Sequence, residues 1–438
     1  MARSTTPDIP RRRKARPTAW PVVLTCAGVL LLAGVAASIA LYPSGQGDTK
    51  APLAKTPPKE KPNEKRKPTP KPTPALSPVQ QAVAKGVRYL KSAQLPSGTW
   101  GDTHPAGLAA LGALALIESG VPENDPHVAK ALKFVREAVP SLEKTYELAV
   151  AVLLMDRLRH REDDGRVRSM LLRLAAGQTV AGGWSYSCPL VPPEEERPLL
   201  LALKLAAPDK PAGLFVQGPG GRPLGLLFVA DPGKDAPTRK DDDEPPQATP
   251  AADPPITAKE ATAKLPPARR KLPSVDTTDG PAKWPEGDDG SDNSNTQLAT
   301  LALWAGRKRD VPVGRALARV VGRFRNSQKP TGGWGYLYQS SAAAALSLDT
   351  TTPSMTGAGL ICLAVGWGLA DTGKLRPDAR GKTEDPAIRD ALATLGKCVG
   401  MPGGRPAKGD DPDALDLYHL WTVERVAVLY GLDELGGK

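Results

Sequence analysis

Gln178-Thr-Val-Ala-Gly182-Gly-Trp184 decides the fold of this chain, because the same spacing occurs in two further places. The other copies are Gln94-Leu-Pro-Ser-Gly98-Thr-Trp100 and Gln328-Lys-Pro-Thr-Gly332-Gly-Trp334, so each copy reads Q-x-x-x-G-x-W. Glycine takes positive φ angles at little cost and commonly ends a helix. Tryptophan supplies a large apolar anchor beside such a turn, and glutamine can satisfy backbone groups left open at a helix end. The sequence therefore predicts a repeated helix-turn-helix unit.

The motif resembles the QW repeat of squalene-hopene cyclases, whose relatives include oxidosqualene cyclases and the β subunits of protein prenyltransferases. The resemblance covers roughly residues 78–184 and 291–434. It implies an α/α toroid, in which inner helices line a central cavity and outer helices surround them. The expected fold class is therefore all-α, with an α/α toroid formed by residues 78–188 and 291–434.

Apolar segments with helical spacing lie on both sides of the three motifs. Residues 106–117 are almost all apolar, which indicates an inner helix that is buried on every side. Residues 126–139 are amphipathic, which indicates an outer helix. Continuing this alternation along the chain predicts about five helical hairpins. The family toroid has about six, so an incomplete ring is also expected as an alternative.

A segment rich in Pro, Asp, Lys and Ala, residues 189–290, interrupts the repeat. This composition predicts a low-complexity, disordered insertion between an outer helix and its inner partner. A short β-hairpin around residues 218–221 is the alternative, because apolar runs flank the glycines there.

The N-terminal part predicts a membrane anchor. A basic tail, residues 1–18, precedes an apolar segment, residues 19–42, that is long enough to span a bilayer and has Trp20 and Tyr42 near its ends. Positive-inside logic keeps the tail in the cytoplasm, so the toroid is expected on the periplasmic side of the cell inner membrane. A cleaved signal peptide with a small-residue site at 38–40 is the alternative, and it exports the toroid as well.

A Pro/Lys-rich linker, residues 43–77, follows the apolar segment and is expected to act as an extended stalk. The formal net charge of the chain is +11, and much of the excess lies in this linker and the basic tail. Neither basic tract alternates with aromatic residues, so no nucleic-acid partner is expected. The four cysteines form no C-x-x-C pair, and no disulfide framework is expected.

Resemblance to the cyclases directs attention to Asp292. Those enzymes protonate an alkene with the central Asp of a D-x-D-D motif at the mouth of an inner helix. The matching residues here read Asp292-Asn-Ser294-Asn295, so only the first Asp is kept. A hydroxyl and an amide cannot supply that proton. Asp292 is therefore kept as a candidate for a divergent site, while the nearby Asp288 and Asp289 are expected to be solvated.

Resemblance to the prenyltransferases directs attention to Asp416-Leu-Tyr418-His419. In those β subunits a D-x-Y-H stretch carries the zinc-binding His, and a D-x-C pair supplies further ligands. No Cys stands at the corresponding place in residues 349–356, so the zinc set is incomplete and no cofactor is expected. Asp416 is expected to cap its helix, and His419 is expected to point into a polar rim.

Glu147 is a further candidate, because it lies one turn from the start of an inner helix beside Tyr146. A carboxylate there could reach the mouth of the cavity. Hydrolysis of glycosides needs two carboxylates at a defined separation, and no spacing in the sequence identifies a partner for Glu147.

Three functions are compatible with these patterns. The first is a binding module whose central cavity holds an apolar, isoprenoid-like ligand or a peptide segment. The second is an enzyme with a divergent site acting on isoprenoid or envelope substrates, formed by Asp292, Asp416, His419 and Glu147. The third is a scaffold that docks another envelope protein. A fold alone does not choose among them.

Overall fold

The computed structural model describes residues 76–206, 258–276, 284–285, 287–340, 350–367, 381–401 and 416–438. In these ranges the chain forms thirteen α-helices and two short 3-10 helices, with no β-strand. The all-α prediction is confirmed. No helix in the described ranges is long and apolar enough to cross a membrane. The predicted anchor at 19–42, the linker up to residue 75 and the alternative hairpin at 218–221 all lie outside the described residues.

The helices are numbered in chain order. They are α1 (Pro78–Ala93), α2 (Pro105–Glu118), α3 (Pro126–Ala138), α4 (Thr145–Leu158), α5 (Asp164–Ala176), α6 (Pro193–Ala206), α7 (Ala258–Ala263), α8 (Pro267–Arg270), α9 (Asn293–Gly306), α10 (Gly314–Ser327), α11 (Pro353–Trp367), α12 (Pro386–Gly396) and α13 (Leu417–Tyr430). The bounds of α2 and α3 agree with the helices predicted at residues 106–117 and 126–139 to within one residue.

Five of these helices, which we call the central helices, follow one another in space. Helix α2 packs on α4, α4 on α9, α9 on α11, and α11 on α13. The peripheral helices α1, α3, α5, α10 and α12 pack against members of this row. Helix α9 is typical of the central helices, because all but two of its residues are buried and it has no face toward solvent. Helix α10 is instead amphipathic, which suits a helix with one face toward solvent.

All five central helices begin at the same end of the row. Hydrogen bonds join their first turns: Tyr146 of α4 reaches Ser294 of α9 (2.5 Å), and Ser354 of α11 reaches Asp416 before α13 (3.2 Å). The side chain of Glu147 likewise reaches the first turn of α2. The central helices are therefore parallel, and their N-termini converge.

The three motif glutamines join consecutive peripheral helices. Each Nε2 donates to the carbonyl of the motif glycine and to a carbonyl in the first turn of the next peripheral helix. Gln178, for example, reaches Gly182 (3.1 Å) and Ala316 (2.9 Å), 138 residues further along the chain. One side chain thus closes its own turn and fixes the neighbouring hairpin.

The motif glycine and tryptophan complete the same joint. Gly182 has φ of 75°, and a Cβ there would lie 2.6 Å from the carbonyl oxygen of Arg319. Both the angle and the close approach require glycine. The Trp184 indole is fully buried and donates to the carbonyl of Leu174 (2.7 Å). Trp100 and Trp334 make the equivalent bond ten residues back in the chain.

The junction between α3 and α4 lacks the motif, and an arginine takes the place of the glutamine. The buried Arg173 of α5 donates from Nη1 to the carbonyls of Val139 (2.7 Å) and Leu142 (3.0 Å). Both carbonyls follow the end of α3, and that of Val139 also accepts from the backbone NH of Leu142 (3.3 Å). The same requirement is met by a different side chain.

Residues 189–290 differ from the disordered insertion that the sequence predicts, because both described ends of this segment are helical. Helix α6 packs on α5 and α7, and Leu199, Leu203 and Leu265 are buried. Ser274 donates to the carbonyl of Ala175 at the end of α5 (3.0 Å). The ends of the insertion cover α5, which explains why every residue of that helix from Met170 to Ala176 is buried.

Candidate functional site

Four tyrosines gather where the central helices begin, and we call them the tyrosine cluster: Tyr146, Tyr186, Tyr336 and Tyr418. The Tyr146 hydroxyl donates to Ser294 Oγ (2.5 Å), and the Tyr336 hydroxyl lies 3.5 Å from the same oxygen. The Tyr186 and Tyr336 hydroxyls are 2.6 Å apart. Tyr186 is 54% exposed, so the cluster reaches the surface.

Tyr418 joins the cluster from α13. Its hydroxyl donates to Gln297 Oε1 of α9, and its ring stacks on Trp421 with centroids 6.0 Å apart. The Nε2 of Gln297 and the Nε1 of Trp421 are buried without a hydrogen-bond partner. Burial raises the pKa of the Tyr146, Tyr336 and Tyr418 hydroxyls, so all three stay protonated at neutral pH.

Two members of the cluster follow motif tryptophans, a signal that the motif analysis missed. The sequence reads Trp184-Ser-Tyr186 and Trp334-Gly-Tyr336, so each tyrosine lies two residues after its Trp. Both short segments cross the N-terminal end of the central helices, where Trp184 and Leu337, the residue after Tyr336, form isolated backbone bridges to Asp292. The repeat W-x-Y therefore predicts the pair, because equivalent positions of neighbouring hairpins meet at the same end of the row.

Asp292 lies at the base of the cluster as the N-cap of α9 and is 1% exposed. Its carboxylate accepts four hydrogen bonds from two residues. Oδ1 accepts from the backbone NH of Ser294 (3.0 Å), the Oγ of Ser294 (2.7 Å) and the backbone NH of Asn295 (2.8 Å), and Oδ2 accepts from Asn295 Nδ2 (2.7 Å). The carboxylate is thus held in place and fully engaged by the protein.

A second polar layer lies behind Asp292. The fully buried Arg323 donates from Nε to Asn293 (3.0 Å) and from Nη1 to Ser291 (2.7 Å). Burial lowers its pKa to about 10, and the nearby Asp289 and Asp292 act in the opposite direction. The guanidinium therefore stays charged at neutral pH and fixes the loop that leads into α9.

Asp289 contradicts the expectation of a solvated side chain. Its carboxylate accepts from the backbone NH of Ala181 (3.0 Å) and from the hydroxyl of Ser291. Burial alone would raise its pKa, but hydrogen bonds from Ser291, Thr179 and Ala181 and the charge of Arg323 lower it. Asp289 thus fastens the insertion to the second motif turn, while Asp288 is exposed as expected.

Glu147 is buried and serves the neighbouring helix. Its Oε1 accepts from the backbone NH groups of Ala106 (3.2 Å) and Gly107 (3.4 Å), which belong to the first turn of α2. Helix α2 has no side-chain cap of its own, because His104 at its N-cap makes no such bond. The carboxylate therefore supplies the missing cap and complements the helix dipole.

Asp416 and His419 lie at the start of α13. Asp416 accepts from the backbone NH of His419 (3.0 Å), as its predicted role as a cap requires. The His419 ring is 1% exposed, its Nδ1 is buried without a hydrogen-bond partner, and the backbone of Cys398, beyond the end of α12, acts on its pKa. It therefore packs toward a peripheral helix, and the predicted position in a polar rim is wrong.

We expect His419 to make folding sensitive to acid. Burial lowers its pKa from the ordinary value of 6.5, so the unfolded chain takes up a proton first as the pH falls. The stability that comes with a neutral His419 is complete above about pH 6.5 and is lost below it, at up to about 1.4 kcal/mol per pH unit. The free energy of unfolding, measured with urea between pH 5 and pH 8, should change less steeply with pH for His419→Asn than for the wild type. Equal slopes would contradict this assignment.

One group of possible metal ligands occurs among the described residues, and it lies away from the cluster. His160, Glu162 and Asp163 place ligand atoms within 4.8 Å of one another. The Arg136 guanidinium, however, donates to Asp163 (2.7 Å) and lies 2.8 Å from His160 Nδ1. A cation already occupies the position between these groups, so the arrangement fits an ion-pair network better than a metal site.

An apolar layer lies one helical turn below the tyrosine cluster. Val150 follows Tyr146 by four residues on α4, and Leu298 follows Ser294 by four on α9, so each shares the face of its polar neighbour. Leu298 is partly exposed and packs against the core. Trp421 follows Tyr418 by three residues on α13, and its ring stacks on that of Tyr418.

A charged layer lies at the opposite end of the central helices. Glu118 at the end of α2 pairs with Arg157 of α4 (2.5 Å). Burial raises the pKa of Glu118, and the charges of Arg157 and of Arg425 on α13 oppose that rise. Arg425 is buried and pairs with its neighbour Glu424. An ion pair thus connects the first and second central helices, and Arg425 of the last central helix acts on the pKa of Glu118 by its charge.

The four predicted site residues therefore share one end of the row without forming a single reactive set. Asp292 lies beneath the tyrosine cluster, Glu147 caps α2, and Asp416 and His419 lie at the start of α13. The tyrosines carry the exposed part of the site. Comparison with family models, curated proteins and solved structures finds no match to this chain.

Proposed function

We propose that this chain is an exported, membrane-anchored α/α toroid that binds an amphipathic ligand between its central helices. The apolar part of the ligand, isoprenoid-like in character, would lie against Val150, Leu298 and Trp421. Its polar end would lie at the tyrosine cluster. The observation that carries the proposal is the direct succession of a hydroxyl-lined, surface-reaching layer and an apolar layer on the same helix faces.

Closure of the row into a ring is part of the proposal. Arg425 of the last central helix lies close enough to Glu118 of the first one to act on its pKa. Tyr418 of the last helix also reaches Gln297 of the middle one. A flat row would keep α13 away from both partners, so these contacts favour a curved arrangement of five hairpins.

The hydrogen bonds of the Asp292 carboxylate favour a binding function over the proton transfer that the cyclases carry out. General acid catalysis requires a carboxyl group that can reach the substrate and transfer its proton. The Asp292 oxygens instead accept four hydrogen bonds from Ser294 and Asn295. A carboxylate engaged in this way stabilises the start of α9 and orients the hydroxyls above it.

The proposal predicts that enlarging Leu298 blocks binding. Farnesol serves as the apolar probe, added to the full chain in nanodiscs and followed by tryptophan fluorescence. Leu298→Trp should weaken farnesol binding at least about tenfold, because the indole fills the apolar layer. Leu205→Trp makes the same change on α6, where the side chain is 37% exposed, and should leave binding unchanged. Equal affinity of both variants would contradict the proposal.

Native mass spectrometry of the purified full chain, mixed with an envelope lipid extract, gives an independent test. A reproducible bound isoprenoid or other amphiphile is the expected result. If no such molecule is retained and farnesol does not bind the wild type, the central helices do not form a ligand site.

A further inference from the structure

Two buried donors beside Tyr418 have no acceptor among the residues that the structure describes. The indole of Trp421 is 5% exposed and can only donate, and its Nε1 lacks a hydrogen-bond partner. The side chain of Gln297 is fully buried, and its Nε2 lacks a partner as well. Folded proteins rarely keep a buried N–H group unpaired, because its lost contact with water is not compensated. The pair therefore indicates a place for an acceptor that the chain itself does not supply.

Tyr418 connects the two donors. Its hydroxyl donates to the Oε1 of Gln297, and its ring stacks on that of Trp421. The oxygen of the Gln297 amide is thereby engaged, and its NH₂ group is the part left open. Helix α11 lies between α9 and α13 in the row of central helices, so the Tyr418 side chain crosses in front of α11 to reach α9. Both donors thus belong to groups on one face of the row, the face that a curved arrangement encloses.

The surroundings of Tyr418 favour a neutral acceptor. Burial raises the pKa of the Tyr418 hydroxyl, and Tyr146, Cys362 and Asp292 raise it further. The burial that opposes a tyrosinate also opposes a carboxylate or a phosphate at the same place, since each would lose its hydration. An ammonium would face two N–H groups and could accept from neither. A neutral oxygen with free lone pairs fits both conditions.

We propose that Gln297 Nε2 and Trp421 Nε1 bind the carbonyl oxygen of an ester or ketone on the apolar chain of the ligand. This inference rests on the proposed function, since it assigns the polar end of the ligand. A carbonyl oxygen has two lone pairs, so it can accept from both donors at once, and it brings neither a charge nor a donor of its own. The ligand class is therefore an isoprenoid-like ester or ketone, whose carbonyl lies beside Tyr418.

Titration of the full chain with methyl farnesoate, in nanodiscs of zwitterionic lipid and followed by tryptophan fluorescence, tests the proposal. Two matched probes share the apolar chain of this ester: farnesylammonium offers only donors, and farnesoate carries a negative charge. We expect methyl farnesoate to bind at least about tenfold more tightly than either probe. The infrared stretch of an isotope-labelled ester carbonyl should also shift to lower frequency on binding, because hydrogen bonds weaken the C=O bond.

Variants distinguish the two donors from the space around them. Trp421→Phe removes the indole NH but keeps an aromatic ring, and should lower the preference for methyl farnesoate over farnesylammonium about threefold to tenfold. Gln297→Glu keeps an acceptor for Tyr418 and replaces the NH₂ group by an oxygen, so the same preference should fall at least about tenfold. Trp304→Phe is the matched control and should leave the preference unchanged, because Trp304 is 3% exposed in the last turn of α9. The preference is a ratio of two affinities, and a loss of folded protein lowers both alike.

The outcomes separate this inference from the function on which it rests. If farnesol binds, but methyl farnesoate binds no better than farnesylammonium or farnesoate, the carbonyl assignment is wrong while the apolar site stands. An unshifted carbonyl stretch, or equal preferences in Trp421→Phe and Trp304→Phe, would contradict it as well. If neither farnesol nor methyl farnesoate binds, both proposals fail.

Discussion

Replacing Trp334 by alanine is expected to lower the free energy of unfolding by about 4 kcal/mol. The indole is 1% exposed, stacks edge-to-face on Phe324 with centroids 5.5 Å apart, and donates to the Phe324 carbonyl (2.9 Å). Gly359 of α11 leaves the space that the ring fills, since a Cβ there would lie 2.5 Å from it. Truncation therefore leaves a cavity between α10 and α11 and an unpaired carbonyl.

Chemical denaturation of the two variants Trp334→Ala and Trp100→Ala measures this effect. Trp100 has the same motif position and the same type of hydrogen bond (2.8 Å to Leu90), but its side chain is partly exposed. We expect about half the loss at Trp100, because less apolar surface leaves water there. A loss at Trp100 equal to that at Trp334 would show that burial of the indole is not what the motif provides.

The repeated motif made much of the helical organisation predictable from sequence. Gly182 and Trp184 mark a turn and an anchor whatever the surroundings, because positive φ and a large apolar ring have local consequences. The second partner of Gln178 was not predictable. The carbonyl of Ala316 lies 138 residues away, and only the packing of α5 against its neighbours brings it near.

Composition misled the prediction for the insertion. Proline and charged residues dominate residues 189–290, yet short apolar stretches at its ends are enough to cover α5. Asp289 was expected in water for the same reason. Its partners are a backbone NH of the second motif turn and a hydroxyl beside Arg323, and neither is visible from local sequence.

The candidate site was predictable in position but not in role. Resemblance directed attention to Asp292, and Asp292 does lie at the start of a central helix, beneath Ser294, which contacts Tyr146 of α4 and Tyr336. The exposed chemistry comes from tyrosines that no catalytic motif marks. These tyrosines meet because the central helices are parallel. The motif spacing predicts parallel helices only if consecutive hairpins are assumed to pack side by side in chain order.

Asp292→Ala is expected to lower the free energy of unfolding by about 3 kcal/mol. The change leaves two backbone NH groups, the Ser294 hydroxyl and the Asn295 amide without their acceptor in a fully buried place. Chemical denaturation measures the loss. Asp288→Ala is the matched control, because Asp288 is exposed and accepts from a single backbone NH, that of Gly290 (2.8 Å). Its effect should stay below about 0.5 kcal/mol.

Asp292→Asn separates the hydrogen bonds from the charge. An amide oxygen can keep the three bonds made by Oδ1, and its new NH₂ group would face Asn295. Asn295 has a buried Oδ1 without a partner, so rotating its own amide provides an acceptor. We therefore expect a loss of only about 1 kcal/mol from Asp292→Asn. If the asparagine variant is as unstable as the alanine variant, the charge itself holds α9 in place.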